Sequence, residues 1–163
     1  MVREQIARRG VRDPRVLRPM ERVPRHCFAP EGMTHLAYRD FPVVIGQGQT
    51  ISQPYVIGYM IEALELPSDA RVLEVGTGTG YQAGVRGECG AEVWSIEVRS
   101  ALAAAAAEIL RDLGFEESRV HLRCGDGTRG WSEAAPFHGI IAAAAAPDVP
   151  TALLEQLAPG GTL

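Results

Sequence analysis

One carboxylate and three glycines lie close together at residues 74–80, which read EVGTGTG. The residues RVLEV at 71–75 are mostly apolar and β-branched, and this predicts a strand that is buried on both faces. The residues after Gly80 are expected to open a helix. A strand, a glycine turn and a helix start can hold a nucleotide, because the turn presents backbone amides to the ligand.

The spacing of the glycines distinguishes among such ligands. Gly76, Gly78 and Gly80 alternate with other residues, whereas a dinucleotide fingerprint has the spacing GxGxxG. No GK[ST] sequence follows, which excludes a kinase-type phosphate loop. Because Glu74 comes just before the glycines, the loop better suits a ligand with a cationic group, such as the ammonium and sulfonium of S-adenosylmethionine.

Two further carboxylates are predicted at the ends of neighbouring strands. Glu97 ends the strand VWSIE, where a carboxylate can accept both hydroxyls of a ribose, a feature that fits NAD as well. Asp126 follows the next strand in RCGDG, within reach of an adenine amino group. Each acid taken singly is more often a solvated loop residue or a helix cap. Three of them beside glycines at successive strand ends predict a single site.

Strands and helices are predicted to alternate from Arg71 onward and to position these acids. We expect strands at 71–75, 92–97, 119–124 and 139–145, helices at 81–88, 100–113 and 150–157, and another strand after the PGG at 159–161. This alternation predicts a doubly wound, mostly parallel α/β sheet. Such sheets bind ligands at the carboxyl ends of their strands, where the strand order reverses.

Residues 1–66 are predicted to form a helical and loop extension in front of the cofactor-binding core at 67–163, within one domain. Asp13 is expected to cap a helix that begins at Pro14, and Pro19 should shorten or kink it. The segment from residue 37 is expected to run from a loop into a second helix with Ser52 as its N-cap. The predicted buried face of that helix comprises Val56, Met60, Ala63 and Leu64.

Charge and cysteine usage narrow the classes of partner. The net charge of −4 argues against a nucleic-acid partner, which draws on Lys and Arg to neutralise phosphates. No apolar run approaches the roughly 20 residues of a membrane span, and the first residues lack the apolar core of a secretion signal. The three cysteines and four histidines have no disulfide or metal-ligand spacing, so we expect no metal and a cytoplasmic location.

Several motifs together resemble the protein-L-isoaspartate O-methyltransferase family. They are IGQGQTISQPYVIGYM, VLEVGTGTGYQA, VWSIE and GDGTRGW, with RGVRDPRVLRPMERVPRHCFAP near the start. The similarity covers essentially the whole chain in one register, and GQTISQP is far more specific than the glycine motif. The resemblance implies transfer of a methyl group from S-adenosylmethionine to the side-branch carboxylate of L-isoaspartyl residues in damaged proteins.

The same resemblance implies roles for individual residues. Ser52 would be the catalytic residue, beside the transferred methyl group and the substrate carboxylate, and Thr50 would contact the cofactor from the same wall of the site. The implied cofactor contacts are Glu74, Gly76, Gly78 and Gly80 for the methionine end, Glu97 for the ribose, and Asp126 with Gly127 for the adenine. No catalytic base is expected, since a carboxylate with a reference pKa of about 3.9 is already ionised at neutral pH.

The chain also departs from the family pattern. The helix after the glycine loop is usually apolar, but here it contains Gly84, Arg86 and Gly87, so Arg86 could place a charge on a buried face. His138 replaces an acid in the PFD pattern, where a polar residue at a strand edge can be tolerated. The sequence ends at PGGTL, before the last strands that family members have. We therefore expect a monomer that can self-associate through an unfinished sheet edge.

Two alternatives to isoaspartyl methylation stay open at this point. One is an S-adenosylmethionine-dependent methyltransferase that acts on another acceptor. The other is a non-catalytic module that keeps the cofactor fold but has lost turnover, as the altered helix and the short C-terminus would allow.

Overall fold

The computed structural model describes residues 1–116, 118–144 and 147–163. The N-terminal extension contains short helical turns at Val2–Ile6, Ala7–Arg9, Arg25–Phe28 and Glu31–Leu36. Its longer elements are helix α1 (Pro14–Arg22), strands β1 (Val43–Gly46) and β2 (Gln49–Ile51), and helix α2 (Pro54–Ala63). The two strands form an antiparallel hairpin in a segment that we predicted as a loop. That prediction was wrong because the β-branched VVI and the turn glycines, Gly46 and Gly48, favour a hairpin.

Helix α1 begins as the sequence predicts. The Asp13 carboxylate accepts a hydrogen bond from the Arg15 amide at 2.8 Å, and Pro14 occupies the first helical position. The Arg15 side chain also bonds Asp13, and this lowers the pKa of the carboxyl group. The helix continues to Arg22, so Pro19 does not shorten it. Pro19 instead contributes to the buried face of the helix.

Helix α2 begins later than predicted. Its N-cap is Gln53, and no side chain caps it, so the prediction that Ser52 caps the helix was wrong. Ser52 lies before the helix because Pro54 takes the first helical position and makes Gln53 the N-cap. The carbonyl of Ser52 accepts a hydrogen bond from the guanidinium of Arg25 at 2.7 Å. This bond anchors the main chain of Ser52 to the N-terminal extension.

The predicted buried face of α2 was also wrong in part. Val56 and Ala63 are exposed, whereas Leu64, just after the helix, is buried as predicted. The residues of α2 that face the core are Pro54, Ile57 and Gly58. Gly58 explains the shift, because a Cβ atom there would lie 2.9 Å from Ile6 Cγ2 and would push the helix away from the N-terminal turn.

Five parallel strands form the central sheet. They are β3 (Arg71–Val75), β4 (Glu92–Glu97), β5 (Val120–Cys124), β6 (Phe137–Ala142) and β7 (Leu157–Thr162). Their order is β5-β4-β3-β6-β7, and each adjacent pair is parallel. The predicted doubly wound parallel sheet is thereby confirmed, and the strand order reverses between β3 and β6.

Three helices connect these strands: α3 (Tyr81–Glu88), α4 (Ser100–Asp112) and α5 (Thr151–Glu155). The last helix is shorter than predicted, and β7 begins before the PGG rather than after it. This correction follows from pairing, because the Phe137 amide donates to the Gln156 carbonyl at 2.8 Å and starts the ladder there. The end predicted for the strand at residue 145 lies outside the described residues.

Side chains on the two faces of the sheet enter two apolar cores. One core contains Val72 and Val93 and joins the sheet to the N-terminal extension. The other contains Leu73 and Trp94 on the opposite face. Such alternation is expected of strands, in which successive side chains point to opposite faces. Among the helices in the described ranges, none is long and apolar enough to cross a membrane.

The glycines of α3 allow close packing. A Cβ atom on Gly87 would lie 2.9 Å from Val120 Cγ2, and one on Gly84 would lie 3.2 Å from Leu110 Cδ2. Each internal glycine lowers helix stability by about 1 kcal/mol. Here both let the helix approach β5 and α4 more closely than a side chain would permit.

Candidate active site

A cavity of about 250 Å³ lies at the carboxyl ends of β3, β4 and β5. This is the end of the sheet at which the strand order reverses, as the sequence predicted. The predicted site residues that line the cavity are Thr50, Ser52, Gly76, Gly78, Glu97, Asp126 and Gly127. Glu74 and Gly80 were predicted with them, but neither belongs to the cavity wall.

The glycine loop after β3 forms one wall. Gly76 and Gly78 have φ angles of +97° and +57°, a backbone region that disfavours other residues. Among the described residues, a Cβ atom on Gly78 would have only one neighbour within 4 Å, Ile45 Cδ1 of the β1–β2 hairpin at 3.8 Å. The absent side chain therefore leaves space between the loop and the hairpin.

Glu97 lies opposite this loop with both carboxylate oxygens anchored by the main chain. One oxygen accepts from the Gly78 amide at 2.9 Å and the other from the Arg99 amide at 3.0 Å. The residue is only 5% exposed. Because each carboxylate oxygen can accept more than one hydrogen bond, Glu97 keeps acceptor capacity for the hydroxyl groups of a ligand.

Asp126 also borders the cavity, but one of its oxygens caps a turn. That oxygen accepts from the Thr128 amide at 3.0 Å and from the Thr128 hydroxyl at 2.7 Å. These bonds lower the pKa of the carboxyl group. Gly127 allows the turn to pass over the end of β3, since a Cβ atom there would lie 2.5 Å from Val75 Cγ1.

The hairpin contributes Thr50 and Ser52 to the facing wall. Within the described ranges, the Ser52 hydroxyl has no hydrogen-bond partner, and the carbonyl of the same residue is bound by Arg25. Arg25 is fully buried, donates a second bond to the Ala37 carbonyl, and lies 4.7 Å from the centre of the Tyr81 ring. The structure thus holds Ser52 in place through its backbone and leaves its side chain available.

The sequence profile of the protein-L-isoaspartate(D-aspartate) O-methyltransferase family matches residues 1–163. The chain belongs to this family. Curated relatives named protein-L-isoaspartate O-methyltransferase include those of Opitutus terrae, 53% identical, and Synechococcus, 52% identical, both over the whole chain. A protein of Marinobacter nauticus named protein-L-isoaspartate O-methyltransferase 2 is 56% identical over the same length. The chain spans 66%, 69% and 74% of the Synechococcus, Opitutus and Marinobacter proteins, respectively.

Solved structures agree with the sequence comparison. A protein-L-isoaspartate O-methyltransferase superposes with a TM-score of 0.88 at 27% identity, over 99% of this chain and 53% of its own. A putative protein-L-isoaspartate O-methyltransferase from Plasmodium falciparum, solved in complex with S-adenosyl-L-homocysteine, superposes with a TM-score of 0.83 at 23% identity. It matches 98% of this chain and 79% of its own, and it supports the fold.

Glu74 is buried beneath the glycine loop and does not line the cavity. The side chain is fully buried, and one oxygen accepts from the Ser95 hydroxyl at 2.7 Å. Ser95 in turn contacts the Thr77 hydroxyl at 2.6 Å, and Thr77 lines the cavity. Burial raises the pKa of Glu74, while the positive charge of Arg86 opposes the rise. The hydrogen bonds of Glu74 therefore reach the cavity through Ser95 and Thr77.

Gly80 serves the packing of α3 rather than the cavity wall. It is the N-cap of the helix, with a φ angle of +89°, and a Cβ atom there would lie 2.9 Å from Leu110 Cδ1. His138 is likewise remote from the cavity, at the beginning of β6. Its Nδ1 atom accepts from the Arg71 amide at 3.0 Å, which joins β6 to the start of β3. We therefore expect the replacement at residue 138 to affect the opposite end of the sheet.

Sequence reasoning missed several contributors to the site. Arg25 makes its contacts with residues 12 and 27 positions away, so no local spacing marks it. Thr77 lies between Gly76 and Gly78, and a polar side chain at that position could have been predicted to line the site. Ala143 and Ala144 line the cavity after β6, and only the predicted position of that strand end could have indicated them.

Proposed function

We propose that this chain uses S-adenosylmethionine to methylate the side-branch carboxylate of L-isoaspartyl residues in damaged proteins. Family membership over residues 1–163 supports the activity. The observation that carries the proposal is the cavity of about 250 Å³, which brings Ser52 of the hairpin together with the glycine loop and Glu97. These three parts are far apart in sequence. The fold brings them into one cavity, so that Ser52 lies beside the residues assigned to the cofactor.

The residues present fit the cofactor. Glu97 offers acceptor capacity for ribose hydroxyls, and Gly78 leaves room beside the main chain for the methionine end. The second oxygen of Asp126 is not used by Thr128 and lies 3.8 Å from Nε of the exposed Arg129. The Asp126 side chain is 55% exposed, so we assign it to the adenine together with Gly127. When bound, S-adenosylmethionine supplies a methyl group on a positively charged sulfur.

The protein's own contribution to the transfer is alignment and exclusion of water. We assign the Ser52 hydroxyl to the substrate carboxylate, which it orients by a hydrogen bond, and Thr50 to the same wall. Ile57 and Leu153 add apolar surface to the cavity. The acceptor carboxylate is ionised at neutral pH, so no base has to remove a proton and catalysis rests on positioning.

Several partner assignments belong to the same proposal. We infer that the substrates are isoaspartyl-containing proteins and peptides, that nucleic acid is not a partner, and that the chain acts as a monomer. We also place the reaction in the cytoplasm. The three cysteines are free thiols, which is the state expected in that compartment.

Transfer of a radiolabelled methyl group tests the proposal. We expect label from S-adenosylmethionine to enter an isoaspartyl peptide and not the matched peptide with ordinary aspartate. Calorimetry with the cofactor should be run in parallel. Cofactor binding without methylation of the isoaspartyl peptide would contradict the proposal and favour a non-catalytic module, and equal labelling of both peptides would favour another acceptor.

A further inference from the structure

Arg25 is a fully buried cation in the N-terminal extension. Among the described residues, no carboxylate forms an ion pair with it. A buried charge is costly, and an apolar side chain of similar size often gives equal or greater stability. Stability alone therefore does not explain an arginine at this position, and its contacts indicate what it does.

The guanidinium ties Ser52 to the extension through one planar fork. Its Nε atom donates to the Ala37 carbonyl and its Nη2 atom to the Ser52 carbonyl, each at 2.7 Å. Arginine holds these two donors at a fixed spacing, so the two carbonyl oxygens are set relative to one another. Ser52 lies between the end of β2 and the N-cap of α2 and belongs to neither element. The bond from Arg25 therefore holds the main chain at a point that lies outside any helix or strand.

The same guanidinium contacts the opposite wall of the cavity through Tyr81. Its central carbon lies 4.7 Å from the centre of the Tyr81 ring, within the range of a cation–π contact. Tyr81 is the first residue of α3, directly after the glycine loop, and it lines the cavity. Phe28, from the same turn as Arg25, packs edge-on against that ring, with 5.4 Å between the ring centres. Arg25 thus contacts both the segment that carries Ser52 and the helix that follows the glycine loop.

Direct contact with a ligand is the competing explanation for an arginine beside the site. Arg25 does not line the cavity, and its side chain is completely covered. A ligand in the cavity therefore meets Ser52 and Tyr81 rather than Arg25 itself.

We propose that Arg25 is a positioning residue that holds the main chain of Ser52 against Tyr81 at the start of α3, and thereby sets the distance between the Ser52 hydroxyl and the bound methyl donor. The inference rests on the proposed function, because it assumes that Ser52 orients the substrate carboxylate beside S-adenosylmethionine. It goes further in making the rate of transfer depend on a residue that touches neither ligand.

Single-turnover methylation of an isoaspartyl peptide, at saturating peptide and cofactor, tests this role. Arg25→Met removes the donors, so the Ser52 carbonyl loses its partner. We expect the rate constant to fall roughly tenfold to a hundredfold, the size expected when a reacting group is misplaced by about 1 Å. S-adenosylhomocysteine affinity by calorimetry should stay within about twofold of the parent, since Glu97 and the glycine loop are unchanged. Arg25→Lys keeps the charge but not the two donors at fixed spacing, so its rate constant should lie between those of the parent and Arg25→Met.

Arg71→Met is the matched control. Arg71 also donates to a backbone carbonyl, that of Ala134, and its guanidinium carbon lies 4.4 Å from the centre of the Trp94 ring. It lies at the start of β3, at the end of the sheet opposite the cavity. The same substitution there should leave the rate constant of the folded protein and the cofactor affinity unchanged. Equal losses of rate in the two variants would overturn the positioning role.

A double-mutant cycle shows whether the effect is exerted on Ser52. Ser52→Ala keeps the carbonyl that Arg25 binds and removes only the hydroxyl. In that background Arg25→Met should lower the rate constant little further, because the group that Arg25 positions is already gone. A general structural effect would persist at full size in the Ser52→Ala background, and that result would contradict the proposal.

Two outcomes separate this inference from the proposed function. A parent chain that binds S-adenosylhomocysteine but does not methylate the isoaspartyl peptide would overturn the proposed function and the positioning role with it. A parent chain that methylates the peptide, with an unchanged rate constant in Arg25→Met, would overturn the positioning role alone. If Arg25→Met does not fold, Arg25→Lys takes its place in the cycle, and a rate constant equal to that of the parent would overturn the role in the same way.

Discussion

The two sides of the glycine loop hold a carboxylate in different ways. On the cavity side, both oxygens of Glu97 accept from main-chain amides. On the interior side, Glu74 depends on the Ser95 hydroxyl and on the charge of Arg86. Main-chain partners are present whatever the side chains are, whereas the interior arrangement fails when one side chain changes. Substitution of a neighbouring side chain therefore disturbs the anchoring of Glu97 less than that of Glu74.

The pH dependence of stability should report the titration of Glu74 on the interior side of the glycine loop. Burial raises the pKa of Glu74 in the folded chain, so its contribution to stability is fully present below the unfolded pKa and is lost as pH rises through the folded pKa. Removal of the opposing charge in Arg86→Leu should raise the folded pKa further and move the loss to higher pH. Urea unfolding from pH 4 to 8 measures this, and the extra loss should vanish in the Glu74→Gln/Arg86→Leu variant.

On the cavity side, Glu97→Ala should affect binding. We expect S-adenosylmethionine affinity by calorimetry to fall by about 1.5 to 3 kcal/mol, because hydrogen bonds to a charged acceptor are lost. Glu92→Ala provides the control, since Glu92 lies at the other end of the same strand and bonds His121 at 3.1 Å. Equal affinities for the two variants would remove Glu97 from the cofactor site.

The sequence predicted the elements of the fold wherever a strand or helix has a strong local pattern of residue types. The apolar runs that became β3 and β4 and the alanine-rich run that became α4 carry strong local patterns. Glu74 shows where sequence patterns fail. Its position next to the glycines predicted that its side chain would line the cavity, but the side chain is buried against Ser95. Which neighbours a side chain meets depends on tertiary packing, and no local spacing records that contact.

A substitution of Gly87 should disturb the packing of α3 against β5, with a smaller effect on stability. Gly87→Ala improves helix propensity by about 1 kcal/mol but places a Cβ atom 2.9 Å from the stiff side chain of Val120. We expect net destabilisation of about 1 kcal/mol from this overpacking, measured by urea unfolding. Gly32→Ala is the control, because a Cβ atom there meets no atom of residues 1–116, 118–144 or 147–163 within 4 Å. Greater stability in Gly87→Ala would show that the sheet adjusts at no cost.

The smallest effect on stability should come from Ser52→Ala, even though we assign Ser52 to catalysis. Its hydroxyl does not cap α2, so the free energy of unfolding should change by less than about 0.5 kcal/mol. Asp13→Ala removes a cap that the structure does contain and should cost about 0.5 to 2 kcal/mol. Methyl transfer to the isoaspartyl peptide should show the reverse order, with a loss of about tenfold to a hundredfold for Ser52→Ala, unchanged cofactor affinity, and little change for Asp13→Ala. If Ser52→Ala lost as much stability as Asp13→Ala and kept full turnover, the hydroxyl would be a helix cap and not part of the reactive wall.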